Sequence, residues 1–298
     1  MGIKESDLMN ILSEARRLYE QKSFTEAIRR YREAADHLKE DADNLPIVQI
    51  ELGWSYYAAQ QYREAVRVFQ KALASGKLDD QQKFDVLRLC GFSLELSGDW
   101  QQAHDYLDKA LRVEIAERIK RFTYFEMGKL LFIRGKISEA EQFLQTAEDL
   151  FEDDEPDYLL TLNYYMGFSR FFQGNYKEAR RRFDFIIQNA GEPEKKVGGY
   201  FGLAHLHFKN KEYPALLDLT ERILLLDPEF YDRETLAFFS CEAFFHLNKW
   251  EDLERFFREM VQRYPHGRYF KEYAKFQAAL DAHRQNPDQA EQATPPTE

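Results

Sequence analysis

An alanine that recurs at an almost fixed interval is the feature that most constrains the fold of this chain. The alanines are separated by 38, 38, 37 and 39 residues and are Ala27, Ala65, Ala103, Ala140 and Ala179. A small residue lies twelve positions before each of them, in the order Ala15, Gly53, Gly91, Gly128 and Gly167. A regular interval of this size is typical of a repeat architecture in which each repeat is one supersecondary unit.

Apolar residues within each repeat are spaced as on one face of a helix. A large apolar residue follows each alanine by four positions, in the order Tyr31, Phe69, Leu107, Leu144 and Phe183. Three glycines, Gly98, Gly135 and Gly174, separate two such stretches and predict chain reversals. Each repeat is therefore predicted to be a helical hairpin whose small residues let the paired helices approach closely. Since one hairpin cannot bury its own apolar face, neighbouring hairpins must stack.

The order of these residues resembles the tetratricopeptide repeat family. The second repeat carries the family pattern as Leu52, Gly53, Tyr56, Tyr62, Ala65, Phe69 and Ala72. Two weaker copies follow, with Ala204 and Cys241 at the glycine position and Leu216 and Leu253 at the alanine position. We expect those leucines to push their paired helices apart. The resemblance implies an all-α, right-handed superhelical solenoid of about seven helical hairpins with a C-terminal capping helix.

The repeat pattern also predicts the organisation of the chain. A short lead (1–7) precedes seven repeats, a capping helix (267–285) and a disordered tail (286–298). The expected repeats are 8–45, 46–83, 84–120, 121–159, 160–196, 197–233 and 234–266. The interval exceeds the 34 residues usual for the family, so we expect extra turns in the helices or in the links between repeats. No Gly or Pro lies between Gly98 and Gly128, which blurs the boundary between the third and fourth repeats.

Composition and motifs exclude several classes of function. Forty-one Lys and Arg against 52 Asp and Glu give a formal charge of −11, which argues against binding nucleic acid. The sequence contains no phosphate-binding glycine loop, zinc-protease motif or nucleophile elbow. We therefore expect no enzyme activity, no cofactor and no metal. With no secretory signal region and no apolar run of about 20 residues, the expected location is cytoplasmic, without insertion into membranes.

The resemblance also implies a candidate binding surface, because the family binds partners along first helices through the fifth, ninth and twelfth residues of each repeat. We call these the groove positions. From the second repeat onward, twelve of eighteen are aromatic, whereas the overall aromatic content of 15% predicts about three. The predicted site residues are the groove positions from the second repeat onward with Ile50 left out, namely Trp54, Tyr57, Arg88, Phe92, Glu95, Phe125, Lys129, Phe132, Tyr164, Phe168, Phe171, Phe201, His205, Phe208, Phe238, Glu242 and Phe245.

Two interpretations of the rings stay open at this point. Some are packed between adjacent first helices as core, and others form an aromatic groove for an apolar segment of a partner. The polar members, Arg88, Glu95, Lys129, His205 and Glu242, are expected to face solvent or a ligand.

The expected function is that of a non-enzymatic adaptor or assembly scaffold that binds another protein or peptide. One alternative is a regulatory sensor that closes around a short peptide and becomes more compact. Self-association through the apolar face is a further alternative.

Overall fold

The computed structural model describes residues 5–152 and 155–285 of the chain. The regular secondary structure within these ranges is helical throughout. The predicted disordered tail and the first four residues lie outside the described ranges. The chain divides into two compact units on either side of residue 152, called unit 1 and unit 2 below.

Unit 1 consists of four helical hairpins. Its helices are α1 (Glu5–Glu20), α2 (Phe24–His37), α3 (Leu45–Ala58), α4 (Tyr62–Ala74), α5 (Asp80–Leu96), α6 (Trp100–Leu111), α7 (Arg121–Ile133) and α8 (Ile137–Leu150). Odd-numbered helices are the first helices of their hairpins, and each packs against the helix that follows it.

Unit 2 consists of three hairpins and a terminal helix. Its helices are α9 (Pro156–Phe172), α10 (Tyr176–Asn189), α11 (Val197–Lys209), α12 (Tyr213–Leu226), α13 (Arg233–His246), α14 (Trp250–Arg263) and α15 (Tyr273–Gln285). A 3₁₀ turn over Phe270–Glu272 precedes α15, which packs on α14. The predicted all-α fold of tandem hairpins is confirmed.

Every hairpin turn contains one residue in the left-handed backbone region. Three are the predicted turn glycines Gly98, Gly135 and Gly174, with φ of 84°, 74° and 79°. The other four are Lys22, Gln60, Lys211 and Asn248, with φ between 56° and 60°. Left-handed backbone costs a non-glycine residue about 1 kcal/mol, so these turns form because the paired helices hold them.

Close helix contacts explain the glycine series. A methyl group built on Gly53 would lie 2.3 Å from a ring atom of Phe69, and one on Gly128 would lie 2.6 Å from a side-chain atom of Leu144. The large residue predicted to fill the space beside each glycine therefore packs directly onto it. Leu216 and Leu253, which replace the alanine in the last two hairpins, are fully buried.

The longer repeat interval is partly accounted for by the links between hairpins. A 3₁₀ turn over Glu117–Lys120 joins α6 to α7, and another over Pro193–Lys196 joins α10 to α11. Lys120 is 5% exposed. It donates hydrogen bonds to the Leu111 carbonyl at 2.9 Å and to the Glu117 carboxylate at 2.8 Å. This lysine fixes the link that lacks both glycine and proline.

Candidate functional site

The seventeen predicted site residues all lie on first helices, and none of them is exposed. Five are buried, namely Phe125, Phe168, Phe201, Phe238 and Glu242, and the other twelve are half-buried. Spacings of four and three residues place the groove positions of one helix on a common face. The helices bring together the residues of each unit, and the two units differ in how those residues are used.

In unit 1 the rings at the groove positions alternate with charged side chains. Trp54 and Tyr57 on α3 make an edge-to-face pair with ring centres 6.2 Å apart. On α5, the Arg88 guanidinium lies 5.6 Å from the ring centre of Phe92 and pairs with Asp85 at 2.9 Å. Both Phe92 and Trp54 remain half-buried, so their rings present apolar area to solvent.

Two carboxylates share one lysine on this surface of unit 1. The Lys129 ammonium on α7 lies 3.2 Å from Glu95 on α5 and also pairs with Glu126 on its own helix. Burial and the neighbouring Glu126 charge raise the pKa of Glu95, although Lys129 opposes the shift. Burial lowers the pKa of Lys129, but Glu126 and Glu95 outweigh it and the net shift is upward. The cluster carries one more negative than positive charge.

Phe125 and Phe132 complete the groove positions of α7. Phe125 is 3% exposed and meets the ring of Phe151 edge-on at 6.3 Å, so it belongs to the core. Phe132 is half-buried and packs against the core cluster that contains Leu94, Leu130 and Leu131. Phe132, rather than Phe125, therefore presents ring area to solvent in this hairpin.

In unit 2 the groove positions are packed mostly against one another. Phe168 is 4% exposed and lies 5.0 Å from Phe183 and 5.9 Å from Phe201, measured between ring centres. The imidazole of His205 is enclosed by four phenylalanine rings at 4.7 to 5.7 Å, which are Phe168, Phe171, Phe201 and Phe239.

His205 is a neutral histidine held in an apolar site. Burial lowers its pKa to about 4, and the nearby Asp232 charge opposes this only in part. Its Nε2 atom is buried without a hydrogen-bond partner among the described residues. The expectation that His205 faces solvent or a ligand is therefore wrong, because aromatic rings surround it.

A linking segment covers another part of this surface. Phe230, in the link between α12 and α13, is 5% exposed and lies 4.9 Å from the ring centre of Phe201. Next to it, the Tyr231 hydroxyl shares a hydrogen bond with the Tyr164 hydroxyl. Burial and the Tyr231 contact raise the pKa of Tyr164. The groove positions Tyr164 and Phe201 are thus occupied by the chain's own link.

The segment after α14 covers the last hairpin in the same way. Tyr269 stacks on Phe238 with ring centres 4.1 Å apart. Lys275 on α15 donates to both oxygens of Glu242, at 2.7 and 2.8 Å, and His246 lies 3.4 Å from the same carboxylate. Glu242 is only 6% exposed. The expectation that it faces solvent is also wrong, because α15 supplies its partner.

Two remaining groove positions of unit 2 stay half-buried. The ring of Phe208 stacks on Phe239 at 4.5 Å. Phe245 meets Trp250 at 6.2 Å and lies 4.9 Å from the Lys275 ammonium. Both rings are therefore partly covered by neighbouring side chains.

Several residues of these clusters were missed by the sequence reasoning. Glu126 lies three residues before Lys129 on the same helix, a spacing that is readable from the sequence. Phe230, Tyr269 and Lys275 lie in links or in α15, outside the repeat register. No signal in the repeat pattern identifies them, because their positions depend on how those segments fold back.

The described residues offer little for catalysis. The thiols of Cys90 and Cys241 are buried, and burial raises the pKa of each to about 12, so both are protonated and unreactive. No group of three or more histidine, cysteine or acidic residues in the described ranges is placed to hold a metal. Among the described helices, none combines the length and the apolar character that crossing a bilayer requires.

Comparisons with known proteins agree with this fold. Residues 49–77 match a family model described as tetratricopeptide repeat. Together with the repeat pattern and the hairpin fold, this match identifies the chain as a tetratricopeptide repeat protein. No curated protein sequence matches the chain significantly. Tetratricopeptide folds are generally non-enzymatic interaction modules.

Three solved structures illustrate the likeness. The pilF protein of Pseudomonas aeruginosa has a TM-score of 0.60 at 18% identity, covering 80% of this chain and 98% of pilF. The apo form of RapI has a TM-score of 0.64 at 11% identity, covering 95% of this chain and 83% of RapI. YrrB, described as a tetratricopeptide protein with an unusual peptide-binding site, has a TM-score of 0.51 at 20% identity, covering 65% of this chain and 92% of YrrB. Identities this low show a shared fold and nothing further.

Proposed function

We propose that the chain is a protein-interaction scaffold that binds a partner segment through the groove positions of unit 1. The observation that carries the proposal is that the rings of Trp54, Tyr57, Phe92 and Phe132 stay half-buried there. Removing apolar area from water is favourable by about 25 cal/mol per Å², and part of this gain offsets the cost of association. A partner that covers several of these rings therefore removes from water apolar area that stays exposed in the folded chain.

The charged residues of the same surface suggest how a partner is oriented. Glu95, Glu126 and Lys129 form one cluster, and Arg88 lies on the same helix as Glu95. Charges beside apolar contacts fix register and select partners more than they add affinity. We therefore assign the rings of unit 1 to affinity and these charges to alignment of the bound segment. The peptide-binding site named for YrrB is consistent with this use of the fold.

The test compares two matched double variants in quantitative affinity capture from native lysate. Phe92→Glu with Phe132→Glu alters the proposed surface, whereas Arg63→Glu with Lys71→Glu alters exposed residues of α4. We expect a partner captured by the wild type and the α4 variant to be lost with the ring variant. Circular dichroism checks that each variant keeps its helicity, and Tyr57→Ala with Phe132→Ala serves if the glutamates unfold the chain. Recovery of the same proteins by all variants contradicts the proposal.

The regulatory-sensor alternative is separated by a different measurement. A sensor becomes more compact when its peptide binds, so its radius of gyration in small-angle X-ray scattering falls. A scaffold with a preformed surface binds without that change. The captured partner, cut to its binding segment, is the peptide to add.

A further inference from the structure

A separate cavity lies in unit 2, away from the groove positions. It is bounded by α12, α13 and α14 and has a volume of about 640 Å³. Its apolar lining includes Leu236 and Ala237 of α13 and Met260 of α14. Ser240 lines it as well and donates to the Leu236 carbonyl at 3.0 Å. The groove positions Phe238 and Phe245 do not line this cavity.

The cavity exists because the last hairpin lacks side chains that earlier hairpins have. The residue one position before the glycine position is Leu52, Cys90, Met127, Met166 and Leu203 in the second to sixth repeats, all of them buried. In the seventh repeat this residue is Ser240. The position three residues earlier shows the same trend. The second to sixth repeats carry Gln49, Leu87, Tyr124, Asn163 and Tyr200 there, whereas the seventh carries Ala237. The seventh repeat therefore has the smallest side chain of the series at Ala237 and a short hydroxyl at Ser240.

The lining carries a surplus of positive charge. Arg233, Glu259 and Arg263 all line the cavity. Arg233 pairs at 3.1 Å with Glu229, whose side chain is 89% exposed, so that pair is readily exchanged. Arg263 is exposed and has no ion-pair partner in the described part of the chain, whereas Arg255 and Arg258 of the same helix are paired. The site therefore suits an anionic group next to an apolar one.

An exposed apolar residue lies next to the cavity lining. Leu225 follows the lining residue Leu224 and is 79% exposed, whereas Val261 lines a different pocket, between α14 and α15. A small molecule inside the cavity leaves Leu225 uncovered. A protein segment that also lies across the C-terminal end of α12 covers it, which favours a macromolecular occupant.

We propose that this cavity is a docking site for an acidic amphipathic segment of a partner protein. One large apolar side chain of the segment enters over Ala237 and Ser240. Carboxylates beside that side chain pair with Arg263 and Arg233. The site lies on a different face of α13 from Phe238, so it does not depend on the proposed function of unit 1.

The test uses a fluorescein-labelled synthetic helix with full-length protein and fluorescence anisotropy. The helix carries a face of Leu and Phe that is flanked on both sides by Glu. The principal variant is Ala237→Tyr with Ser240→Met, since Tyr200 and Met166 fill the same positions in earlier repeats. We expect filling the cavity to weaken binding about tenfold, the effect usual for losing a central apolar anchor. Arg263→Gln should weaken it roughly threefold and reduce its dependence on salt, whereas the ion-paired control Arg255→Gln should leave it unchanged.

Other occupants are distinguished by further arms of the experiment. A helix with Lys in place of Glu should not bind, and equal binding of the two helices overturns the assignment of charge. If the dye anilinonaphthalene sulfonate binds the wild type but not the filled variant, and the acidic helix binds neither, the site takes small anions and the proposal is wrong. A concentration-dependent dimer that disappears in the filled variant makes a second copy the occupant, which also overturns it. If the filled variant does not fold, unchanged binding by Arg263→Glu is the contradicting result.

Discussion

Five of the nine groove positions in unit 1 and seven of the nine in unit 2 are aromatic, and the two units differ in burial. In unit 1 one predicted site residue, Phe125, is buried, whereas four are buried in unit 2. On α5 and α7 of unit 1, charged residues occupy groove positions between or beside the rings. In unit 2 consecutive rings meet directly, and the links around Phe230 and Tyr269 close over them. Aromatic groove positions therefore form a candidate binding surface in unit 1, whereas those of unit 2 pack mostly against one another and against the links.

The comparison shows that burial of a groove position depends on the segments outside the repeat. Glu242 is a clear case, because its neighbours on α13 do not neutralise it and Lys275 from α15 does. Glu242 is the ninth residue of its repeat, the position that Phe92 and Lys129 hold in unit 1. Only the fold-back of the terminal segment gives Glu242 a buried ion pair with a helix outside the repeats.

The largest expected effect is on the stability of unit 2. Phe168→Ala removes a buried ring that contacts Phe183, Phe201 and His205, and should reduce the free energy of unfolding by about 3 to 5 kcal/mol. The matched change Phe92→Ala, at the same groove position in unit 1, should cost less than about 2 kcal/mol because that ring is half-buried.

Urea unfolding followed by circular dichroism measures both variants. Hydrogen exchange of α9 and α11 then localises the loss, since repeat proteins can unfold in parts. Equal destabilisation by the two substitutions would remove the distinction between the units.

Much of this fold was predictable from the sequence, and the reason is local. Gly53 with Phe69 and Gly128 with Leu144 encode the hairpin contact within a few tens of residues, so periodicity alone identifies it. The turn glycines Gly98 and Gly135 were predicted for the same reason.

The candidate site was predictable only as a set of positions. Whether Phe201 is groove or core depends on Phe230, and the state of Phe238 depends on Tyr269. Both contacts link residues about 30 positions apart through segments without a repeat pattern, so periodicity gives no information about them. The cavity beside Ser240 was readable in principle, because it is a deviation from the repeat at a known register.

A second prediction uses pH to distinguish the units. The folded pKa of His205 is about 4 against an ordinary value of 6.5. The unfolded chain therefore binds more protons between these values, and stability falls as pH falls through this window. The complete loss at this site is at most about 3 kcal/mol. Above pH 6.5 both states are neutral and the contribution of His205 does not change.

Urea unfolding at a series of pH values compares wild type with His205→Leu. The variant should lose less stability than the wild type between pH 6.5 and 4. His266→Gln, which alters an exposed histidine, serves as the control and should follow the wild type. Parallel curves for wild type and His205→Leu would show that His205 titrates normally.

A third prediction concerns the terminal helix that covers unit 2. Lys275→Met keeps an apolar stem near the rings of Phe245 and Phe276 but removes the charge opposite Glu242. Leaving a buried carboxylate without its ammonium partner should cost about 2 kcal/mol, below the usual range because Lys275 itself is 39% exposed. Thermal unfolding measures the effect.

The double variant Lys275→Met with Glu242→Gln is the informative companion. It removes the unpaired charge and should recover most of the lost stability. Lys271→Met, an exposed lysine in the 3₁₀ turn before α15, controls for a general effect of charge. Failure of Glu242→Gln to rescue Lys275→Met argues that the lysine acts through its contacts with the rings.

The smallest expected effect is in unit 1 and has the opposite dependence on pH. The pKa of Glu95 is raised by burial and by Glu126, so its contribution to stability is present at low pH and is lost as pH rises through the folded pKa. Glu95→Gln should therefore gain stability relative to wild type as pH rises towards 7.

The change should stay within about 1 kcal/mol, because the substitution also removes one of the two carboxylates that pair with Lys129. Urea unfolding of wild type and Glu95→Gln between pH 4 and 7 provides the measurement, with the exposed Glu139→Gln as control. If Glu95→Gln instead becomes less stable than wild type as pH rises, the pair with Lys129 outweighs the repulsion from Glu126. Lys129 would then neutralise Glu95 as Lys275 neutralises Glu242.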